Sequence, residues 1–286
     1  MEVTLPMTRW RGQLPRFHTM PEASEAPSII SVISDAAKRQ IQALQDYALL
    51  SVRAVLNVFM PPVYWLDTLE QMDLIGVGSL PIILAASLSI GGVLVLNTAS
   101  QFQRFGMTEL TGDAVSLALV RELGPTITAL LVAGRNASGM ASELGSMVVT
   151  EQVDAMRALG TDPIRKLMTP RVIATIFVMP LLVAVFDFVG LVGGFIASYF
   201  TLGLGAVQFW TRAIDSLEFG DLAQGFAKPL VFAFIVATIG CFQGLRVRGG
   251  TQGVGRATTS AVVISSVLVL VSDVFLAKVL LFIFQK

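Results

Sequence analysis

The polar and apolar positions of the chain form one amphipathic stretch followed by five long apolar runs. From residue 28 to 62, apolar residues recur every three or four positions, and charged residues such as Asp35 and Arg39 fall outside that stripe. This spacing places the apolar residues on one helical face. It predicts an interfacial amphipathic helix, ended by Pro61, that lies on a membrane surface and does not cross it.

Each of the five runs that follow is long enough to cross a bilayer. The first contains no ionisable residue, and as a helix it reaches roughly 35 Å, against about 30 Å for a hydrocarbon core. The second would be roughly 50 Å long, so we expect it to tilt, to kink at Pro125 or to project from the membrane. The predicted spans are residues 74–96, 114–149, 172–202, 229–245 and 261–284.

The composition agrees with a membrane protein. Of the 286 residues, 54% are hydrophobic and 14% are charged, and the mean hydropathy is +0.73, whereas a soluble domain is about 25% charged. With 20 basic and 20 acidic residues, the chain has no net positive charge that would attract nucleic acid. Its one histidine, His18, and one cysteine, Cys241, argue against a zinc site or an intramolecular disulfide. We predict an all-α membrane protein with a five-span domain over residues 74–286.

The charges between the spans predict the orientation. Residues 1–27 are rich in proline and lack the apolar core of a signal peptide, so we expect a flexible cytosolic leader. Basic residues concentrate in two of the loops, which the positive-inside rule places in the cytosol. Those two loops hold Arg157, Arg165, Lys166, Arg171, Arg246, Arg248 and Arg256, and the opposite loops hold Arg104, Arg212 and Lys228. Five spans then place the N-terminus in the cytosol and the C-terminus outside.

Two adjacent charges, Arg121 and Glu122, lie in the second span, where ionisable groups usually mark functional positions. Neighbours on a helix point about 100° apart, so these two are not an obvious pair for each other. Two interpretations stay open at this point. The charges anchor the helix or pair with other helices, or they form the polar edge of a lipid cavity that Leu119 and Leu123 also border.

Other features of the spans concern packing and polar contacts. Asp187 in the third span and Asp273 in the fifth indicate either an internal polar network, which we favour, or a proton path. Small residues at a spacing of four predict close helix packing, as do Gly190, Gly194 and Ser198. In the second span they form two stripes: Ala133, Ala137, Ala141 and Gly145, and beside them Gly134, Ser138, Ser142 and Ser146.

The loop after the second span predicts a short cytosolic helix, within residues 150–163, that contacts a protein partner. Its apolar residues share one arc, and Gly160 ends it. The spacing from Asp154 to Gly160 resembles the E-A-A-x-x-x-G coupling loop by which bacterial ABC importers dock on their ATPase. The candidate coupling residues are Glu151, Asp154, Ala155, Met156, Arg157, Leu159 and Gly160.

A series of motifs over residues 40–284 resembles the MlaE family of permeases. They are VRELGP at 120–125, AGRNASGMASELGSM at 133–147, TEQVDAMRALGTDP at 150–163, TPR at 169–171 and GRATT at 255–259. The resemblance implies a homodimeric inner-membrane permease that moves phospholipid or a related lipid. It also implies a separate cytosolic ATPase, a periplasmic MCE-domain protein and often a STAS-domain subunit.

The sequence contains no G-x-x-x-x-G-K-[ST] motif for ATP binding. The glycine-rich segment 249–255 lacks the lysine, and we expect it to form a cytosolic turn. ATP would therefore bind to the partner, and we expect no catalytic residue, cofactor or metal in this chain. Two alternatives remain: a proton-coupled secondary transporter using Glu122, Asp187 and Asp273, and a membrane scaffold that transports nothing.

Overall fold

The computed structural model describes residues 29–58 and 64–284, which form helices joined by short turns. No strand occurs in these ranges, in agreement with the predicted all-α class. The predicted leader, residues 1–27, lies outside them. The α-helices are α1 (Ile29–Val58), α2 (Trp65–Arg104), α3 (Thr111–Ala118), α4 (Gly124–Val132), α5 (Ser138–Val149), α6 (Gln152–Ala158), α7 (Thr169–Leu202), α8 (Ala206–Asp215), α9 (Phe219–Leu245) and α10 (Gly250–Phe284).

Five helical segments of the described chain are long and apolar enough to cross a membrane. They are Trp65–Arg104, Thr108–Val149, Ile164–Leu202, Phe219–Leu245 and Gly250–Phe284. Their number and order match the prediction. Each begins before the predicted apolar run, because hydropathy marks the part of a helix suited to lipid and the helix continues beyond it.

The start of α10 differs from the prediction. The glycine-rich segment 249–255 was expected to form a turn. Only its beginning does, where Gly249 and Gly250 have φ angles of 88° and 65°, and α10 is already helical from Gly250. The remaining glycines therefore lie in the first turns of the fifth span.

The second span is helical from Thr108 to Val149 but contains two wider turns. π-helical turns occupy Leu119–Leu123 and Ala133–Ala137. Such turns insert an extra residue into a helix and often occur at functional positions. The first ends two residues before Pro125, which cannot donate a main-chain hydrogen bond. The irregularity expected near Pro125 is therefore a π turn.

Glycines bring the main chains of α2 and α7 into contact. A Cβ atom on Gly91 would lie 1.8 Å from the carbonyl oxygen of Gly190, and one on Gly193 would lie 2.2 Å from that of Leu88. Only glycine allows helices to approach so closely. The predicted packing role of the small residues in the third span is thus confirmed at Gly190 and Gly194, both of which are buried.

The two small-residue stripes of the second span have different surroundings. The first is buried throughout and consists of Ala133, Ala137, Ala141 and Gly145. Gly240 and Gly244 of α9 pack closely against Ala137 and Ala141 of this stripe. The second stripe is largely exposed in the protomer, as at Gly134 and Ser142. Packing within one chain therefore explains the first stripe only.

The boundary between two compact units of the chain falls within α1, between Asp46 and Tyr47. Beyond it, the Tyr47 hydroxyl lies 2.9 Å from Oγ1 of Thr238, at hydrogen-bond distance, and its ring meets Phe242 edge-on. Val52 and Val55, from the predicted apolar stripe, are exposed. The described part of the helix runs to Val58, and the predicted stop at Pro61 lies outside the described residues. Its location at a membrane surface stays a prediction.

Candidate functional site

Arg121 and Glu122 lie in the first π turn, and each forms an ion pair with a residue of α9. Arg121 Nε donates to Asp221 Oδ1. Glu122 Oε2 accepts a hydrogen bond of 2.6 Å from Nζ of Lys228. The two charges thus have different partners, as the roughly 100° between helical neighbours predicts. Pairing with another helix was one of the two interpretations left open by the sequence.

Lys228 occupies the centre of this arrangement. Its side chain is fully buried, and besides Glu122 its Nζ atom lies 3.2 Å from Oδ1 of Asp273 in α10 and 3.0 Å from the main-chain oxygen of Arg121. An ammonium group has three N–H donors, and three oxygens surround this one. A buried lysine is tolerated when its charge is paired in this way.

The contact between Lys228 and the main chain of Arg121 has a local cause. In an α-helix, the carbonyl of residue 121 accepts a hydrogen bond from the N–H of residue 125. Residue 125 is proline, so that donor does not exist. Lys228 Nζ donates to the Arg121 carbonyl oxygen in its place. The proline, the π turn and the buried lysine therefore form one structural feature.

The two aspartates of the cluster are held by further hydrogen bonds. Asp221 Oδ2 accepts from the main-chain N–H of Glu218 at 3.0 Å, in a capping box that begins α9. Asp273 Oδ2 accepts from the hydroxyl of Thr126 at 3.0 Å. The cluster joins the second span to α9 and α10, and two cations face three carboxylates. We call it the ion network; its members are Arg121, Glu122, Asp221, Lys228 and Asp273.

The position of Lys228 corrects the sequence analysis. Lys228 was assigned to a loop because the fourth span was predicted to begin at residue 229, whereas α9 begins at Phe219 and buries Lys228. The sequence contained one sign that Lys228 belongs to the helix, because this lysine directly precedes an apolar run.

A groove runs along α2 and is bordered by the residue that follows Glu122 in the second span. Leu123, which follows Glu122, lines it with Ile90, Val93 and Leu94, together with the polar residues Ser89 and Asn97. Its volume is about 260 Å³. We call it the α2 groove. It combines an apolar surface with polar groups near a charged pair.

The four predicted lipid-cavity residues have different locations. The side chains of Arg121 and Glu122 are 32% and 44% exposed, and Leu123 lines the α2 groove. Leu119, in contrast, is fully buried in the core of the protomer, close to Gly190. Three of the four can thus be reached from outside the protomer, and their role as lipid contacts stays a prediction.

The two aspartates predicted at membrane depth are in separate places. Asp273 belongs to the ion network, whereas Asp187 lines another cavity, of about 220 Å³, with Val120, Leu222 and Phe226 among its neighbours. Oδ1 of Asp187 is buried and accepts no hydrogen bond from the described part of the chain. It lies against Gly124, where a Cβ atom would approach it to 1.9 Å.

The predicted coupling helix is present as α6. Glu151 before it has a φ of 60°, which is uncommon for a residue other than glycine, and Gly160 after it has a φ of 80°. Leu159 is 84% exposed, and Ala155 is exposed as well. Met156 differs from the prediction: it is half-buried against the core, next to the buried Val153. The apolar residues of α6 and the residue after it therefore face two ways. Val153 and Met156 pack against the protein core, and Ala155 and Leu159 face outwards.

The start of the third span, which follows α6, forms ion pairs with residues distant in sequence. Lys166 pairs with Asp67 at the start of α2, and its Nζ lies 4.2 Å from the ring centroid of Tyr64. Arg171 Nη2 donates to Glu143 Oε2 at 2.8 Å, joining α7 to α5. These contacts connect the start of the third span to the first and second spans. The sequence alone gave no sign of these pairs.

Five apolar spans, charges paired within them and a surface helix on one loop are typical of a multi-pass membrane permease. The chain belongs to the MlaE permease family, because the family described as Permease MlaE matches residues 68–279.

Several relatives cover most of the chain. It is 38% identical over 253 residues to a probable ABC transporter permease protein of Rickettsia typhi, covering 88% of this chain and 98% of the relative. It is 36% identical to the intermembrane phospholipid transport system permease protein MlaE of Haemophilus influenzae, over 74% of this chain and 81% of that one. It is also 36% identical to the chloroplast protein trigalactosyldiacylglycerol 1 of Arabidopsis thaliana, over 80% and 66%.

Proposed function

We propose that this chain is the membrane-spanning subunit of an ABC transporter that moves phospholipid or a related lipid. The lipid would pass between the inner membrane and a periplasmic MCE-domain carrier, and a separate cytosolic subunit would bind and hydrolyse ATP. We further propose that the chain works as a homodimer, and that a STAS-domain subunit can accompany it. Membership of the MlaE permease family and the phospholipid transport named for the Haemophilus influenzae relative support this proposal.

The observation that carries the proposal is the α2 groove next to the ion network. A phospholipid has a charged head and apolar tails, so its site needs polar groups beside an apolar surface. Arg121 and Glu122 supply partly exposed charges, and Leu123 leads into the apolar groove. In this arrangement the headgroup meets the charged edge, while an acyl chain follows α2 along Val93 and Leu94.

The surface of α6 supports the proposed ATPase contact. Leu159 is a large apolar side chain that is almost fully exposed on a loop rich in basic residues. Such a residue is suited to a contact with another protein. Closure of the ATPase would displace α6, and the pairs Lys166–Asp67 and Arg171–Glu143 would carry that displacement to the spans.

The ion network argues against the alternative of proton-coupled transport. That alternative needs a proton relay through Glu122, Asp187 and Asp273. Lys228 pairs with Glu122 and Asp273, within 3.2 Å of both carboxylates, whereas Asp187 lines a separate cavity with Val120 and Leu222. The three carboxylates therefore do not form one continuous chain of proton carriers. We therefore assign these residues to structure and lipid contact. The scaffold alternative differs from our proposal in predicting no ATPase partner.

Copurification tests the proposal. The tagged full-length chain would be purified from its native membrane in mild detergent, and the bound proteins and lipids identified by mass spectrometry. We expect an ABC ATPase, an MCE-domain protein and phospholipid. The matched control is Leu159→Asp, which should lose the ATPase and keep the lipid. Recovery of the chain without any ATPase or lipid would contradict the proposal.

We also propose that the N-terminus lies in the cytosol and the C-terminus in the periplasm. Cysteine labelling can test this, because the native Cys241 is fully buried and should not react. In intact cells, a membrane-impermeant maleimide should label Val207→Cys of α8 but not Leu159→Cys. After the cells are opened, both should react. The reverse pattern in intact cells would invert the proposed topology.

A further inference from the structure

The second π turn presents a cation that differs from those of the ion network. Arg135 Nη1 donates hydrogen bonds to the carbonyl oxygen of Leu74, to Oγ of Ser79 and to Oδ1 of Asn136, at 3.1 to 3.2 Å. All three acceptors are neutral. Within the described ranges, no carboxylate oxygen lies within 4.0 Å of this guanidinium. Its charge is thus oriented by neutral groups and is not balanced by a contacting carboxylate.

Arg135 lines a cavity of about 180 Å³ between α2 and the second span. Leu74, Ile75 and Met140 form an apolar wall. The polar lining consists of Gln71, Arg135, Asn136 and Glu143. Arg135 is exposed, and its Nε and Nη2 form no hydrogen bond with a described residue. We call this the Arg135 cavity.

The depth of the cavity follows from α2. The first turns of α2 contain Asp67, Glu70 and Asp73, and the uncharged run begins at Leu74. Leu74 therefore marks the edge of the hydrocarbon core, and the guanidinium is hydrogen-bonded at that level. Arg121 lies about 21 Å further along the second span, at roughly 1.5 Å per residue. The two arginines thus lie towards opposite edges of the membrane, with Arg135 on the side of α6.

We propose that the Arg135 cavity binds the phosphate group of a phospholipid from the leaflet on the α6 side. This inference rests on the proposed lipid transport and adds a second lipid site to it. The planar guanidinium offers parallel donors on Nε and Nη2, which match two phosphate oxygens. The acyl chains would leave along the apolar wall at Leu74 and Ile75.

The second charged residue of the cavity decides which lipid to use as a probe. Glu143 is paired with Arg171, yet its side chain is 54% exposed. A carboxylate there disfavours a headgroup with a net negative charge and attracts an ammonium group. The zwitterionic lipid phosphatidylethanolamine is therefore the appropriate probe.

Two glycines offer a matched pair of substitutions. A Cβ atom on Gly78 would lie 2.3 Å from Nη2 of Arg135, so Gly78→Ala must displace the guanidinium without changing any charge. A Cβ atom on Gly134, the neighbour of Arg135, would meet nothing within 4 Å. Gly134→Ala is thus the control for an added methyl group. Arg135→Gln removes the charge itself.

The experiment uses the full-length chain with its copurified partners in lipid nanodiscs. A photo-crosslinking residue replaces Leu74, which is 49% exposed and whose contact with Arg135 is made through its main chain. The nanodiscs contain phosphatidylethanolamine with an isotopically labelled acyl chain and no photoreactive group of its own. The amount of protein–lipid adduct is measured by mass spectrometry. We expect an adduct at position 74 that falls about tenfold in Arg135→Gln and Gly78→Ala but not in Gly134→Ala.

A second crosslinking position separates this inference from the proposed function. Position 123, in the α2 groove, should yield the lipid adduct in every variant. An adduct at 123 with none at 74, or one at 74 that Arg135→Gln leaves unchanged, would overturn the Arg135 site alone. A crosslink from 74 to a second copy of the chain would overturn it as well. Absence of adducts at both positions would count against the proposed function itself.

Discussion

Lys228 donates a hydrogen bond to the main-chain oxygen of Arg121, at 3.0 Å, and Pro125 cannot supply the N–H that would bond this oxygen in an α-helix. The same ammonium pairs with Glu122 and Asp273. One buried side chain thus completes the backbone of the second span and joins three helices. These two structural contacts explain why a lysine lies within a membrane span. No role of Lys228 in carrying an ion or a proton is needed to explain it.

Replacing Lys228 should destabilise the protein strongly. Lys228→Met leaves Glu122 and Asp273 without their cation, and breaking a buried pair on one side costs about 3–5 kcal/mol. We expect a lower melting temperature of the detergent-purified protein. Lys278→Met, which changes an exposed lysine of α10, is the control. Equal melting of the two variants would contradict the structural role of the ion network.

Pro125→Ala tests the main-chain part of this role separately. Alanine supplies the main-chain N–H that proline cannot offer to the Arg121 carbonyl, so it should recover about 1 kcal/mol when added to Lys228→Met. A double-mutant cycle on thermal unfolding measures the coupling. Strictly additive effects of the two substitutions would show that Lys228 and Pro125 do not share this carbonyl.

Much of the fold could be predicted from the sequence because lipid imposes a strong pattern. Five long apolar runs gave the number and order of the spans, and small residues such as Gly190 indicated close packing. The ends of the helices could not be predicted, since a helix continues beyond the apolar run that reveals it. The error at the start of α9 also placed Lys228 in a loop.

The contacts of the candidate site were harder to predict. The charges of Arg121 and Glu122 were visible as unusual in an apolar run, but their partners Asp221 and Lys228 lie about a hundred positions away in the chain. Helical periodicity reports which residues share a face, and it contains no information about which helices are neighbours. Those pairings required the three-dimensional structure.

The contact between α2 and α7 should be sensitive to a single methyl group. Gly91→Ala would place a Cβ atom 1.8 Å from the Gly190 carbonyl oxygen, whereas Gly92→Ala would place one 3.6 Å from that of Gly193, an ordinary contact. Overpacking typically costs about 1–3 kcal/mol. We expect Gly91→Ala to lower the folded, membrane-inserted yield while Gly92→Ala keeps it. Similar yields for both variants would mean that the helices are further apart than described.

Substitutions on the exposed part of α6 and its following residue should uncouple the chain from its ATPase without unfolding it. Arg157 pairs with Asp154 at an exposed site, and Leu159 is 84% exposed. Arg157→Glu combined with Leu159→Asp should therefore abolish ATPase copurification and leave the melting temperature close to that of the unmodified chain. Val153→Asp, at a buried position, should lower the melting temperature instead. Retention of the ATPase by the double variant would refute the coupling assignment.

Arg121 and Glu122 should affect lipid transport as well as stability. Because both side chains are partly exposed beside the α2 groove, Arg121→Ala and Glu122→Ala should reduce transport per folded molecule and leave ATPase binding intact. The measurement is lipid-stimulated ATP hydrolysis, normalised to folded protein. Normal activity per folded molecule, together with a lower melting temperature, would leave the pair as a helix anchor only.

The most direct test of the account is lipid movement in proteoliposomes that contain the chain and its copurified ATPase. Transfer of a fluorescent phospholipid to an acceptor carrying the MCE-domain protein would be followed with ATP, with a non-hydrolysable analogue, and with an imposed proton gradient. We predict transfer that requires ATP hydrolysis, is lost in the Arg157→Glu, Leu159→Asp variant and does not respond to the gradient. Transfer that continues without ATP and follows the proton gradient would contradict the account.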